Sequence, residues 1–493
     1  MSSMQQTAGI SGFALYIPPY RVKLDQWSDW YQQDWNKIKA VVGKSFRMRG
    51  PRENIYTMAA NALLQLICNY QVNPARIRFL ALGTESSTDN SAGAVVVKGM
   101  VNQALTTLGM EAISRHCEVP EYKHACLGGL YGIKNAARFL NCEPGDDSVA
   151  VVVSADIAEY ARGSTGEPTQ GAGAVAVLLE KYPAIASLNL AASGSASEYR
   201  SVDFRKPIVR IMDDEPRKHG QIRDFPVFNG KYSTTCYIEA TLEAVADLFN
   251  RRQTIGSEYL RSIPAIFMHR PYHRMPESGL AMAYLMSLAT GAGAEQETLG
   301  EYSAAAGIDT SRLIAEFQNH PTVHDLVEQR RLSDEIFPLA AATLKAFRGT
   351  DEYRRQITAK LSLGSVLMMD IGNLYTAALP AWVAAGLEQA ATDKTLLAGQ
   401  EILLLGYGSG DAAEAIPATL LPGWDQAAIK IGFQTSLNDP CDISQQQYEY
   451  LHDFGDCDGL PATSHSRFLL DSIGQNKDGD YLDYGIEYYN FLG

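Results

Sequence analysis

Basic residues are in the minority in this chain: 42 Lys and Arg face 56 Asp and Glu, for a net charge of −14. Non-specific attraction to nucleic acid or to an anionic membrane needs clustered cations, so neither is a general partner, and an anionic ligand needs a local basic pocket. Cysteines are few and scattered, at Cys68, Cys117, Cys126, Cys142, Cys236, Cys441 and Cys457. An odd, dispersed set builds neither a secreted disulfide framework nor a zinc cluster of close pairs, which points to a reducing cytoplasm and no metal. No run approaches the roughly 18 uninterrupted apolar residues that span a bilayer. The amino terminus, MSSMQQTAGISGFALYIPPYRV, has no basic start followed by an apolar run, and its hydrophobic stretch reads as a strand ending at a proline pair. The expectation is a protein neither exported nor membrane-embedded. The glycine-rich stretch from Ser164 to Val175, STGEPTQGAGAV, has no Lys in phosphate-loop register. It is therefore no nucleoside-triphosphate site, and its glycines read as tight packing between strands.

Short runs of Val, Ile and Leu alternate with longer segments of helical period, the pattern of an α/β domain whose sheet is covered on both faces. In the first part, strands are predicted at ISGFALYI, IRFLALGTES, SVAVVVSADIA and GAVAVLLE, with helices near 54–70, 93–109 and 128–140, and a further strand at IASLNLAASG. The second part repeats the order: a helix near 236–250, the strand IPAIFMHRP, a helix from about 276, a helix near 373–388, then the strands EILLLGYGSG and AIPATLL. Two similar halves follow. In this matching, Glu85 and His269 each come after the second strand of their half, while Cys126 and Asn373 each precede the third helix. Segments 183–235 and 291–350 read as irregular insertions. The residues from about 436, acidic and Tyr-rich, read as a peripheral extension.

Cys126, in EYKHACLGGLYGIKNAARFL, stands where two glycines open an amphipathic helix and allow a substrate close approach. Unpaired N–H groups and the positive end of the helix dipole would lower its thiol pKa and could stabilise an oxyanion. A buried structural cysteine is the other reading of the same residue. Glu85, in LALGTESSTDNS, lies at the carboxyl end of an apolar strand, where open α/β sheets place ligands. It reads as a base, a solvated loop carboxylate or a helix cap. His269, in AIFMHRPYHRM, is a proton donor near neutral pH or a hydrogen-bonded structural histidine, with His273 a lesser candidate. Asn373, in MDIGNLYTAALPAWV, is a capping or a catalytic residue. LLLGYGSGDAAEA spaces Gly408, Gly410 and Ala413 like a dinucleotide fingerprint, but too few residues precede the next apolar run for the helix that such a site requires.

Together these segments resemble the 3-hydroxy-3-methylglutaryl-CoA synthase family of the thiolase superfamily over residues 8–435. The motifs that carry the likeness are GTES at Glu85, KHACLGG at Cys126, GEPTQGAGAVAV at 166–177, HRPYHRM at 269–275, GNLYTAAL at 372–379 and YGSG at 407–410. The resemblance implies a thiolase-like α/β fold of two pseudo-symmetric βαβαβαββ halves, in layers with insertions. One half would cover 1–182 with Glu85 and Cys126, the other 183–435 with His269 and Asn373, followed by the 436–493 extension. It also implies an acyltransferase that joins acetyl-CoA to acetoacetyl-CoA or a related β-ketoacyl thioester, without cofactor, as a homodimer. Cys126 would take the acetyl group, and the N–H groups of Cys126 and Ser409 would hold the oxyanion. Glu85 would deprotonate the acetyl methyl group, and His269 and Asn373 would bind the acceptor ketone, with His269 supplying a proton. Water would then cleave the thioester. Tyr160, Thr169, Tyr375 and Gly408 match positions that line the acyl pocket, and Arg274 matches one beside the CoA phosphates.

His124 and Leu127 depart from the family, which more often shows Glu and Tyr there, and segment 291–350 and the tail exceed a compact bacterial member. One rival keeps the same residues but draws its acyl groups from an acyl carrier protein, as polyketide β-branching enzymes do; a basic patch at the entrance favours it, since carrier proteins are acidic. Another is a non-catalytic scaffold of an acyl-transfer complex. A Cys-dependent thioesterase would not need a base aimed at a methyl group.

Overall fold

The structure is a computed structural model that describes residues 7–87, 89–145, 147–199, 230–331, 335–461 and 465–493. The predicted strands of the first part form Gly9–Tyr16, Ile77–Gly83, Val149–Ala158 and Gly171–Glu180. Their side chains alternate between two apolar faces, as the period of two requires. Phe13, Leu15, Val152, Val175 and Val177 face the layer containing helix Gly128–Cys142, whereas Ala14, Tyr16, Val151, Val153, Ala174 and Ala176 face helices Ile55–Tyr70 and Gly93–Thr107.

Two halves are visible in the strand pairing. In the first, Ile77–Gly83 lies parallel to Val149–Ala158, which runs antiparallel to Gly171–Glu180. In the second, Ile266–Met268 lies parallel to Glu401–Gly408, which runs antiparallel to Ala412–Leu420. The short strand Ala186–Leu188 pairs with both Gly9–Tyr16 and Ala412–Leu420, joining the halves into one ten-stranded sheet. Helices Gly128–Cys142 and Ala378–Asp393 are equivalent crossovers, each leading into a parallel strand, and they touch each other between the halves. The carboxyl ends of the parallel strands and the starts of these two helices therefore meet at one place, as expected from the repeated pattern.

Other expectations change. Glu401–Gly408 turns directly into Ala412–Leu420 with no intervening helix, which removes the dinucleotide fingerprint. IASLNLAASG is broken into strands Ala186–Leu188 and Gly194–Ser197 by a 3-10 turn at Leu190–Ala192. Of segment 183–235, residues 200–229 lie outside the described residues. The described part of 291–350 is largely helical, with Ala294–Ala305, Thr310–Asn319, Val323–Glu328 and Pro338–Phe347, and Tyr284, Tyr302 and Tyr353 are set against the ring of Phe347. None of these helices exceeds 12 residues, about three turns, so the apolar period in each is brief.

The tail is built into the molecule. Cys441–Asp442 pairs in parallel with Tyr20 and Arg21, and helix Gln445–Phe454 buries Tyr448 and Leu451 with Val22, Trp27 and Phe46. A hairpin of Phe468–Ile473 and Glu487–Phe491 then packs against helices Ile55–Tyr70 and Gly93–Thr107. Acidity and scattered tyrosines hid a core contribution that comes from only a few positions.

A buried ion pair also crosses between the halves. Lys134, on helix Gly128–Cys142, meets Glu414 of strand Ala412–Leu420 at 2.5 Å, and the Ser195 hydroxyl binds both. Removing one partner strands the other charge in the interior. Lys134→Met is expected to lower unfolding stability by about 3–5 kcal/mol, with Lys134→Met/Glu414→Leu regaining most of it, as measured by urea denaturation.

Candidate active site

Asp156, fully buried at the end of strand Val149–Ala158, anchors the place where the halves meet. Its Oδ1 accepts hydrogen bonds from the Thr84 hydroxyl (3.0 Å), the Glu85 N–H (2.8 Å), the Ser86 N–H (2.8 Å) and the Ser86 hydroxyl (2.7 Å). Its Oδ2 accepts from the N–H (3.0 Å) and hydroxyl of Thr376 in the other half. Burial pushes this carboxyl up, against the pull of the donors. Asp156 is not among the candidates the sequence offers; its only signal is an acidic residue interrupting SVAVVVSADIA where a strand interior should be apolar.

The GTES loop so fixed carries Glu85 to Cys126, whose thiol donates to Glu85 Oε2 at 3.2 Å. Cys126 is 8% exposed and lies just before helix Gly128–Cys142. The glycines after it serve packing rather than substrate access. A Cβ on Gly128 would fall 2.4 Å from Tyr122 O, and one on Gly129 would fall 2.1 Å from Ser154 Oγ and 2.8 Å from Thr376 O. The backbone enters through Ala125 in the left-handed region, φ 41°, a conformation that a non-glycine residue holds only when its surroundings impose it.

The sequence predicts a lowered thiol pKa, and the structure reverses that direction. Burial first, then the charge and hydrogen bond of Glu85 and the charge of Asp156, push the Cys126 thiol well up. The first N–H groups of the helix are also taken, Leu127 by His124 O and Gly128 by Ala125 O. The thiol therefore rests protonated beside a carboxylate that can accept its proton.

Tyr160 and Tyr375 form a small buried cluster with Cys126 and Ala158, their rings perpendicular with centroids 6.2 Å apart. Tyr375 is held at φ 44°, the counterpart in the second half of Ala125. Asn373 is 1% exposed, and its side-chain oxygen accepts from the Tyr375 N–H (2.9 Å), a capping bond. Asn373 also hydrogen-bonds Tyr160, so it faces the same cluster. Thr169 contributes its carbonyl to the Asn373 N–H, while its hydroxyl is turned away onto Gly166 O. The glycines of GEPTQGAGAV allow this approach, since a Cβ on Gly171 would meet Asn373 O at 2.4 Å.

His269 follows strand Ile266–Met268, and its N–H binds Leu405 O on the adjacent strand. That strand ends at Gly408, where a Cβ would fall 2.6 Å from His124 O and 2.8 Å from Leu127 Cβ, so Ser409 follows directly beside the Cys126 loop. Burial lowers the His269 pKa to about 3, and its Nδ1 has no hydrogen-bond partner among the described residues. The ring is neutral near pH 7, and what it offers there is the N–H of an uncharged imidazole, not the proton of an imidazolium. Arg274 stands apart, exposed at the start of helix Met275–Ala289 and 3.7 Å from Glu277. Its N–H and that of His273 bind Val41 O and Val42 O, at the end of a helix that bears Lys37 and Lys39 on its exposed surface.

The chain is similar to known proteins. A family model described as hydroxymethylglutaryl-coenzyme A synthase N terminal matches residues 4–183. The hydroxymethylglutaryl-CoA synthase of Enterococcus faecalis is 26% identical over 451 residues, covering 90% of this chain and 91% of the relative. That of Haloferax volcanii is 27% identical over 403 residues, covering 81% and 80%. Along most of its length the chain is similar to hydroxymethylglutaryl-CoA synthases. Its fold is also that of solved structures: MvaS in complex with 3-hydroxy-3-methylglutaryl coenzyme A superposes with a TM-score of 0.75 at 24% identity, covering 99% of this chain and all of that one. The curacin biosynthetic pathway HMG synthase in complex with acetyl donor-ACP gives 0.67 at 18% identity, covering 99% and 100%. Among the described residues no group of three or more His, Cys, Asp or Glu could hold a metal ion, and no helix is long and apolar enough to cross a membrane.

Two outcomes follow from these electrostatics. Glu85→Gln removes the charge that disfavours the thiolate, so Cys126 should be alkylated several-fold to about tenfold faster by iodoacetamide near pH 7.5, as followed by peptide mass. His269 has a folded pKa of about 3, below its unfolded value of about 6.5. Between those values the unfolded chain binds a proton that the folded chain does not, so stability is lost as pH falls through that window. His269→Gln should show a shallower loss between about pH 7 and about pH 5 in urea unfolding.

Proposed function

We propose that this protein condenses an acetyl group carried on Cys126 with acetoacetyl-CoA or a related β-ketoacyl thioester, and then hydrolyses the enzyme thioester. The observation that carries the reading is the Cys126 thiol donating to Glu85 Oε2 at 3.2 Å, with Cys126 packed against Tyr160 and Tyr375. A hydrolase needs a nucleophile and water; a carboxylate aimed at the sulfur, beside these two tyrosines, also suits removal of a proton from the acetyl methyl group once the sulfur is acylated.

In the first step Glu85 takes the thiol proton, the sulfur attacks the acetyl carbonyl, and the departing thiolate of CoA leaves with that proton. The N–H groups of Cys126 and Ser409 are assigned to the oxyanion. Glu85 then lifts a proton from the acetyl methyl group, and the carbon attacks the ketone of the second thioester. Neutral His269 and Asn373 hydrogen-bond the ketone oxygen as charge grows on it, and the proton removed by Glu85 is, in net terms, the one that neutralises the alkoxide. Water releases the product from Cys126. Tyr160, Tyr375, Thr169 and Gly408 are assigned to shaping the acyl space.

Exposed Lys37, Lys39 and Arg274 place cations around the HRPYHRM loop of an otherwise acidic chain. They suit the phosphates of CoA, and they equally suit an acidic carrier protein, which keeps carrier-delivered acyl groups as a second reading. A homodimer in a reducing cytoplasm belongs to the same proposal, and all seven cysteines are unpaired, as such a compartment leaves them.

Acetyl-CoA should add one acetyl group to the intact mass of the protein and none to Cys126→Ala, and acetoacetyl-CoA should discharge the adduct into condensed product. Glu85→Gln should still accept acetyl but lose condensation by roughly 10²- to 10⁴-fold, the scale of a lost general base. An adduct formed only from acetylated carrier protein would favour the second reading, and none from either donor would refute both.

A further inference from the structure

Tyr160, 3% exposed and clustered with Cys126, is held from behind by side chains at both its backbone polar groups. Its N–H donates to Gln170 Oε1 (3.0 Å), and its carbonyl accepts from His452 Nε2 (2.9 Å). Gln170 Nε2 in turn donates to the Tyr448 hydroxyl (3.0 Å), which donates to Glu167 Oε1 (2.6 Å). Next in the loop, Arg162 forks onto Asp453 at 3.0 and 2.6 Å and reaches Glu449 at 3.2 Å. Residues 448, 449, 452 and 453 share one face of helix Gln445–Phe454, so a single surface of that helix grips the loop 160–170 from end to end.

We propose that this helix is a positioning element for acyl selection: through Tyr448 and His452 it fixes Tyr160, and so sets the depth of the space over Cys126. This deepens the reading of Cys126 as the acyl carrier and rests on it. Tyr448 and His452 act only through the 160–170 loop. The Tyr448 hydroxyl is the joint most open to test. Removing it leaves Gln170 Nε2 short of an acceptor and Glu167 short of a donor in a buried setting, so Gln170 must shift to find new partners, and the Tyr160 N–H shifts with it. The ring itself stays packed against Trp30 and Phe46.

The test compares the full chain with Tyr448→Phe, His452→Ala and His452→Gln, each given acetyl-CoA or propionyl-CoA. Acylation of Cys126 is timed by intact mass and the thermal midpoint is recorded alongside. The preference for acetyl over propionyl should fall by roughly tenfold in Tyr448→Phe and His452→Ala, the scale on which an apolar pocket senses one methylene. His452→Gln, which keeps an N–H donor, should recover most of the preference. An unchanged preference overturns the proposal, including the case in which both rates fall together with the midpoint, which is the mark of a purely structural role. If His452→Ala does not fold, Tyr448→Phe decides. A wild-type protein that takes neither acyl group refutes the reading of Cys126 itself, an outcome distinct from acylation with unaltered preference in the variants.

Discussion

One carboxylate holds the two halves in register at the site. Asp156 sits where water cannot reach it and is surrounded by donors from Thr84, Glu85, Ser86 and Thr376. A buried acceptor with this many donors stays in place only while every donor stays, because each lost bond leaves an unsatisfied group in the interior. The loop that presents Glu85 and the turn that presents Tyr375 and Asn373 are thus fixed to one point. Their relative position does not depend on the flexibility of either loop.

Around that point the site stores little mobile charge. The Cys126 thiol is pushed up, His269 is pushed down to about 3, and the Tyr160 phenol is pushed up, each chiefly by burial. Their neutral forms are the resting forms, and the acidic pair Glu85 and Asp156 supplies the local field. In a medium of low effective dielectric, a proton moved from sulfur to Glu85 changes that field more than it would in water.

The sequence made the strand ends legible, and with them Glu85 and His269, because apolar runs of Val, Ile and Leu that stop at GTES and HRPY leave little choice of period. It made Cys126 legible through the two glycines, though for the wrong reason: they admit Tyr122 O, Ser154 Oγ and Thr376 O, not substrate. What it hid is long-range. Asp156 has no local mark beyond one acidic residue in a strand, and its partners are up to 220 residues away. The direction of the thiol shift depends on Glu85, 41 residues distant, and on burial, neither of which a helix-by-helix reading weighs. Tyr448 and His452 lie in a polar stretch whose few buried positions are spaced one helical turn apart amid glutamines and acids.

The parallel pairing of Cys441 and Asp442 with Tyr20 and Arg21 has a consequence for the order in which the molecule comes into being. The strands, helices and aromatic side chains between residues 20 and 48 leave the ribosome some 400 residues before Tyr448 and Leu451, which close the apolar surface they share. A contact of such sequence separation forms late, after a large loop-closure penalty has been overcome. During synthesis the chain therefore carries an open hydrophobic face of Trp, Tyr and Phe residues, a state exposed to chaperones and to self-association. Completion of that face and completion of the support behind Tyr160 are one event, so a nascent or prematurely ended chain can hold Cys126 and Glu85 without holding a finished pocket.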